Sequence, residues 1–505
     1  MVFHSICANF AAIMNKLMTR NLNLYLSVLV GIGIFLFWYV AYPHALSYQE
    51  QYQLFLWTGD YFVERVSLPG GFADWLGEFI VQFYYVEWLG ALLLSLLFVA
   101  LQLLTARILP KSWCLLSILP VFLLWWLMGD INVLLSFPLA VVLALALSCI
   151  HLPDGLKWLD VIIVPMIYWL IGPAVWVCLL VRFFQTNWKY MGVAVWLIAV
   201  QLMTYAWLLP QWPLQQVLMG LSYYRIPLHM PQLTGYDRDM YELIRLDYLV
   251  RNERWNEIVK RAQDYEVRTP FWCNCVNLAL AEKRLLADRM FDFYQSGVDA
   301  LIMPRTRDLT SMLPTTEAFW HLGMVNSAQR YMFDTQESIL NAKKSGRCTK
   351  RIAECMMVNG HYQTAQKQID LLKKSLYYHG WANEAEVLMA DEGKLNAHPV
   401  YGRLRKLRYK ENFLYSYEEI DKMLGLLFMN NTDNKMALDY FMGQMLLKGN
   451  VQGFVQYMGW VQQYGGYRQM PLGYQDAMRC IQARGQVQGS PYAEYAKRMI
   501  GEKRP

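Results

Sequence analysis

The sequence predicts an all-α protein in two parts: an apolar helical bundle that spans a membrane, followed by a polar unit of repeated helices. Three observations predict it. Charge is unevenly placed, with 8 Lys/Arg and 9 Asp/Glu in residues 1–220 against 38 and 31 in residues 221–505. The first half carries long uncharged runs, beginning with "LYLSVLVGIGIFLFWYVAY" at 24–42, which is long enough to span. The second half repeats a helix–turn–helix pattern with apolar residues every three or four positions. At 55% hydrophobic and 17% charged, the chain is too apolar for an ordinary soluble protein. Its net charge of +6 is not gathered into a Lys/Arg block, so no nucleic-acid partner is expected.

In the apolar half, Lys16 and Arg20 precede the first run, which makes residues 1–23 a cytoplasmic N-terminus. The run is too long for a signal peptide and reads as an uncleaved anchor. A transmembrane domain then occupies 24–220. The run at 88–106 is followed by Arg107 and Lys111, so its far end lies inside and residues 43–87 form an outside loop. The loop's charges agree: Glu50, Asp60, Glu64, Asp74, Glu78 and Glu87 against Arg65 alone. Further runs lie at 113–129, 132–150, 159–181 and 191–209. Gly172-Pro173 interrupts the run at 159–181. A kink there gives six spans and a cytoplasmic tail; a break into two short helices gives seven spans and an outside tail. Arg182 and Lys189, just before the last run, favour seven.

From 221 to 505 the chain reads as a soluble helical-repeat domain. "YELIRLDYLVRNERWNEIVKRAQDY" is two helices joined at Asn252 to Arg254, with Leu243, Leu246 and Leu249 on one face. "RIAECMMVNGHYQTAQKQIDLLKK" repeats the plan around Asn359-Gly360, and "ALDYFMGQMLLKGNVQGFVQYM" around Gly449-Asn450. Turns near 253, 284, 322 and 360 are spaced 31, 38 and 38 residues apart. These units resemble tetratricopeptide repeats, and each must stack to bury its apolar face. The nine Cys show no zinc-type spacing and read as buried thiols.

Few residues point to chemistry. The polar half has no phosphate-binding loop, nucleophile elbow or zinc-protease motif. His321 reads as a structural histidine. Arg347, Lys350 and Arg351 form a basic patch able to hold a phosphate or carboxylate of a partner, although a solvated helix face is the simpler reading. In the outside loop, Glu50 lies eight residues beyond Tyr42, near the headgroup plane. Asp60 follows about three helical turns on. Acids so placed suit a general base, or a divalent ion holding a lipid-linked diphosphate. The competing reading is interfacial: Gln53, Leu54, Trp57 and Tyr61 fit one face of an amphipathic helix lying on the membrane.

Two resemblances add to this. The order "QYQLFLWTGDYFVERVSLPGGFADWLGEFIVQFYYVEWLGALL", "RLDYLVRNERWNEIVKRAQ", "SGRCTKRIAECMMVNGHYQTAQKQIDLL" resembles a family of uncharacterised multispanning membrane proteins of Bacteroidetes-type bacteria. It implies a bacterial inner membrane and no established activity. The outside loop also resembles that of polytopic glycosyltransferases of the C-type fold, through Glu50, "YQLFLWTGDYF" and "LPGG". The usual Asp-Glu pair is Gln49-Glu50 here. That likeness implies a transferase using a lipid-linked sugar donor, with Glu50 and Asp60 as catalytic acids and a possible divalent metal. The reading preferred on the residues is a membrane scaffold that needs no cofactor. Its partners are the lipid bilayer and a protein or envelope component held by the repeats, with the repeat domain outside.

Overall fold

The computed structural model describes residues 22–150, 153–186, 190–219, 235–305, 310, 312–339, 343–411, 416–483 and 487–502. Lys16, Arg20, Lys189, Cys7 and residues 220–234 lie outside the described residues. Among the described residues every regular element is helical and there is no strand. The chain divides into two compact units. The first is Met1–Arg238 with two short additions, Leu340–Gly346 and Lys374–Tyr377; the second holds the remainder of the C-terminal half.

The first unit contains α1 (Leu22–Ala41), α2 (Pro43–Gln51), α3 (Gly59–Val66), α4 (Gly71–Val81) and α5 (Glu87–Ile108). A stretch of 3-10 helix (Lys111–Ile118) leads into α6 (Leu119–Leu127). After it come α7 (Ser136–Ser148), α8 (Asp160–Ile171), α9 (Val175–Thr186), α10 (Tyr190–Met203) and α11 (Leu214–Met219).

Among the described residues, four helical stretches are long and apolar enough by length and composition to cross a bilayer: Leu22–Ala41, Glu87–Ile108, Asp160–Phe184, which bends back on itself at Gly172, and Tyr190–Leu208. This corrects the expected six or seven. Lys111–Leu127 and Ser136–Ser148 are apolar but shorter. Pro120 sits at the start of α6 and supplies no N–H for an α-helical ladder reaching further back. A turn then takes the residues between α6 and α7, where the Asp130 carboxylate accepts from the Asn132 backbone at 3.0 Å. Lys111–Leu127 nevertheless runs beside α1. Cys114 Sγ donates to Asn23 at its start, and the Trp125 ring meets Phe37 near its end, 5.0 Å between centroids.

The stretch 160–184 is not a straight rod. Gly172 ends α8 at φ 63° and ψ −141°, a conformation that only glycine adopts readily. Arg182 then forms an ion pair with Asp160. In a continuous helix, 22 residues would separate these groups by about 33 Å. The chain therefore turns back at Gly172-Pro173, and α8 and α9 form a hairpin. Tyr190 of α10 closes the same end by donating to Asp160 Oδ2 at 2.7 Å.

The segment from α2 to the 3-10 turn Gln82–Tyr85 is a folded cap, not an amphipathic helix lying flat. The residues His44 to Gln51 of α2 are all buried. Residues 53–58 are not helical, so Gln53, Leu54, Trp57 and Tyr61 do not share one helix face. Their backbone is satisfied by distant segments of the same unit: Leu54 N–H donates to the Lys344 carbonyl and Trp57 N–H to that of Lys374, both at 2.8 Å. The cap is tied to α8 by Gly70 N–H to the Trp169 carbonyl at 2.8 Å and Trp169 Nε1 to the Val66 carbonyl at 2.9 Å.

In the second unit, helices pair as hairpins. Examples are Leu313–Leu322 with Val325–Glu337 and Ile420–Asn430 with Lys435–Lys448. Among the described residues, five helices end on the same cap. At Glu253, Arg284, Gly323, Gly360 and Gly449 the backbone takes a positive φ, from 53° to 84°. In each, the next residue's N–H reaches back five positions, as in Arg254 to Leu249, Leu285 to Leu280 and His361 to Met356. The residue at positive φ reaches back three, as in Gly360 to Met357. This is the Schellman closure, which satisfies the carbonyls a helix end leaves open. The turns expected near 253, 284, 322, 360 and 449 fall on these five positions, with 322 displaced by one.

Candidate functional site

The cap of the first unit encloses a charge cluster. α4 carries Asp74 and Glu78 four residues apart, so both acids lie on one face of the helix. Both are almost fully buried. Lys343 enters between them, with its Nζ donating to Asp74 Oδ1 at 2.8 Å and also to Glu78 Oε1. Glu78 takes a second cation, Arg65 of α3, at 3.3 Å, and accepts from the Tyr61 hydroxyl. The Arg65 guanidinium stacks over the Tyr61 ring at 5.0 Å. Two carboxylates and two cations thus balance in a place that water does not reach. Burial raises the Glu78 carboxyl above its ordinary range, and Lys343 only partly draws it back. Asp74 Oδ2 is buried without a hydrogen-bond partner among the described residues.

Glu50 and Asp60, the acids singled out in the sequence, are not brought together. Glu50 lies in α2 and is 5% exposed, not in open solvent. Its charge acts on Tyr377, whose hydroxyl is pushed up first by burial and then by Glu50. Asp60 stands exposed in the first turn of α3, where a carboxylate favours the helix N-terminus. Among the described residues no group of three or more His, Cys, Asp or Glu is placed to hold a metal ion.

The basic patch of the second unit is also paired. Arg347 holds Asp247 with two nitrogens, at 2.7 and 3.0 Å, and reaches Glu317 at 2.8 Å. Arg351 holds Glu317 and Glu354, each at 2.8 Å, and lies over the Trp320 ring at 4.2 Å. Lys350 lies over the Trp381 ring at 5.2 Å. Burial alone would raise the Glu317 carboxyl, but Arg351 and then Arg347 outweigh it and hold it at about 2. His321 bonds to Glu282 at 2.8 Å through Nδ1. Its partner comes from another helix. Beside this network opens a cleft of about 190 Å³, lined by Glu253, Trp320, His321, Arg351, His398 and Tyr401 among others.

In the sequence Asp74 and Glu78 read only as loop charges, and nothing there marks Lys343 as their partner. The acids had a usable signal, since two carboxylates four apart in the otherwise apolar "GFADWLGEFIV" demand a partner. Residues 19–499 match the model of a family of unknown function, DUF6057. The chain belongs to that family. No curated protein and no solved structure matches it. Membership of DUF6057 covers both units, so the cap cluster and the repeated closures fall within one family match.

Proposed function

We infer that this DUF6057 chain is a membrane-anchored scaffold of a bacterial inner membrane. Its second unit forms a TPR-like solenoid that holds a protein or envelope partner. The observation that carries the reading is the fivefold recurrence of one Schellman closure at 253, 284, 323, 360 and 449. Repeated hairpins with one geometry stack into the concave surfaces that bind peptides and partner helices. The cleft offers aromatic and charged groups suited to such a segment. The scaffold reading puts the cap and the repeats on the same, non-cytoplasmic side. In its support, Lys344 and Lys374 share hydrogen bonds with Leu54 and Trp57 inside the first unit.

A transferase using a lipid-linked donor needs a carboxylate open to a lipid-sided cavity. The burial of Glu50 and the full pairing of Glu78 favour the scaffold over it. The two readings separate in a strain lacking the gene. Glu253→Lys with Val400→Glu, at the cleft rim, should fail to complement at normal protein level, while Glu50→Gln should complement. Complementation by the cleft variant together with failure of Glu50→Gln would overturn the scaffold and promote the enzyme.

A further inference from the structure

A long groove runs between α1 and α5 in the first unit, with a volume of about 1460 Å³. That exceeds the roughly 300–1,000 Å³ of a pocket for a drug-sized ligand. On α1 it extends from Asn23 to Leu36, about 20 Å of helix. The walls are aliphatic and open outward, since Leu24, Val28, Ile32 and Leu96 are exposed large apolar residues. The few polar groups along it are already engaged. Ser27 donates to Gln102 at 2.7 Å, Gln102 to Ser117 at 2.9 Å, and Ser95 to the Gly31 carbonyl at 2.8 Å.

One end differs. Arg107 and Lys111 line the groove where α5 finishes, and both are exposed. No carboxylate pairs with either among the described residues. The groove is therefore apolar along its length and doubly cationic at one end. That is the complement of an amphiphile with hydrocarbon chains and an anionic headgroup.

We propose that this groove is a binding site for one anionic phospholipid of the bilayer. The acyl chains lie along α1 and α5, and the phosphate sits between Arg107 and Lys111. The charge rule that places this end inside also places it in the leaflet where anionic lipids attract basic residues. The proposal rests on the membrane anchoring inferred above, and the test separates the two.

The full chain is reconstituted in nanodiscs of phosphatidylcholine with a tenth of phosphatidylglycerol. The lipid that stays bound is then weighed by native mass spectrometry. One phosphatidylglycerol should be retained in preference to phosphatidylcholine. Arg107→Gln with Lys111→Gln should lower that preference by about fivefold per cation. Val28→Trp, which fills the groove, should reduce retention of both lipids at an unchanged melting temperature. Equal retention of the two lipids by the wild type would overturn the proposal. So would an unchanged preference in the double variant, or a lipid-free mass of two chains. A chain that never enters the nanodisc would overturn the anchoring itself.

Discussion

Asp160 and Arg182 form an ion pair although they stand 22 positions apart in the chain. That contact decides the path of the apolar stretch 160–184. By composition it could be one crossing of 25 residues. By geometry it is two arms of 12 residues each, about 18 Å long, folded back at Gly172. Both side chains are nearly withdrawn from solvent, so the pair persists only because the geometry is close and Tyr190 adds a hydrogen bond.

Exchanging the charges tests the hairpin. Asp160→Arg alone or Arg182→Asp alone leaves two like charges buried together and should cost about 3–5 kcal/mol. The double exchange should recover most of that loss. The readout is the thermal transition of the chain in nanodiscs. A double variant as unstable as the sum of the two single ones would remove the pair as the closure of the hairpin.

How much of this was legible in the sequence depends on the range of the interaction. The repeat turns were, because a Schellman closure is set by a few neighbouring residues, such as Asn359-Gly360. The apolar runs were legible as runs but not in length. The 3-10 stretch before Pro120 and the turn at Asp130 to Asn132 shorten two of them, and hydropathy does not register either. The break at Gly172-Pro173 was legible as an ambiguity that only the distant Arg182 resolves. The site was half legible. Asp74 and Glu78 announce a need for cations, but Lys343 stands 269 residues beyond Asp74, and no local pattern encodes that pairing. The burial of Glu50 was not legible for a related reason. Distance from a span end says nothing about the cap that folds over it.

Removing the lysine from the cap should show what it neutralises. Lys343→Met strands Asp74 and leaves Glu78 with Arg65 alone, at a cost of about 3–5 kcal/mol near neutral pH. Glu78 is already raised by burial, and loss of Lys343 raises it further above its unfolded value. A raised acid binds its proton more readily in the folded state, so the deficit should shrink as pH falls. The check is the melting temperature of both proteins at about pH 7 and pH 5. A deficit that is constant or grows on acidification would mean that Glu78 does not carry the charge in question.

Two glycines of the repeats separate backbone strain from crowding. Gly360 and Gly323 both take positive φ, 79° and 84°. A Cβ on Gly360 would meet nothing within 4 Å, whereas on Gly323 it would lie 2.8 Å from Leu407 Cβ. Gly360→Ala should therefore cost only the left-handed penalty, about 1–2 kcal/mol. Gly323→Ala should cost that and the displacement of Leu407 as well. Denaturant unfolding of the two variants gives the comparison; equal losses would show that the Leu407 contact yields freely.

Asp439 offers a pH profile of the second unit with a definite sign. It is buried on Lys435–Lys448, pairs with Arg284 at 2.7 Å and accepts from the Tyr467 hydroxyl. Burial raises its carboxyl to about 6, and the Arg284 and Tyr467 contacts offset only part of that. The ordinary value of 3.8 holds in the unfolded chain, so between the two values the folded state binds more protons. Stability should then fall as pH rises through this window, by about 3 kcal/mol in all. Glu317, held at about 2, works in the opposite direction. Its contribution is present above its unfolded value of 4.5 and is lost progressively as pH falls from there toward 2, so it overlaps the Asp439 window only at the acid end. Asp439→Asn cannot ionise and should lack the decline. Following the unfolding transition of wild type and variant from about pH 4 to pH 7 isolates Asp439 in the difference between the two curves. Parallel curves would mean that Asp439 stays charged throughout, and that Arg284 and Tyr467 outweigh its burial.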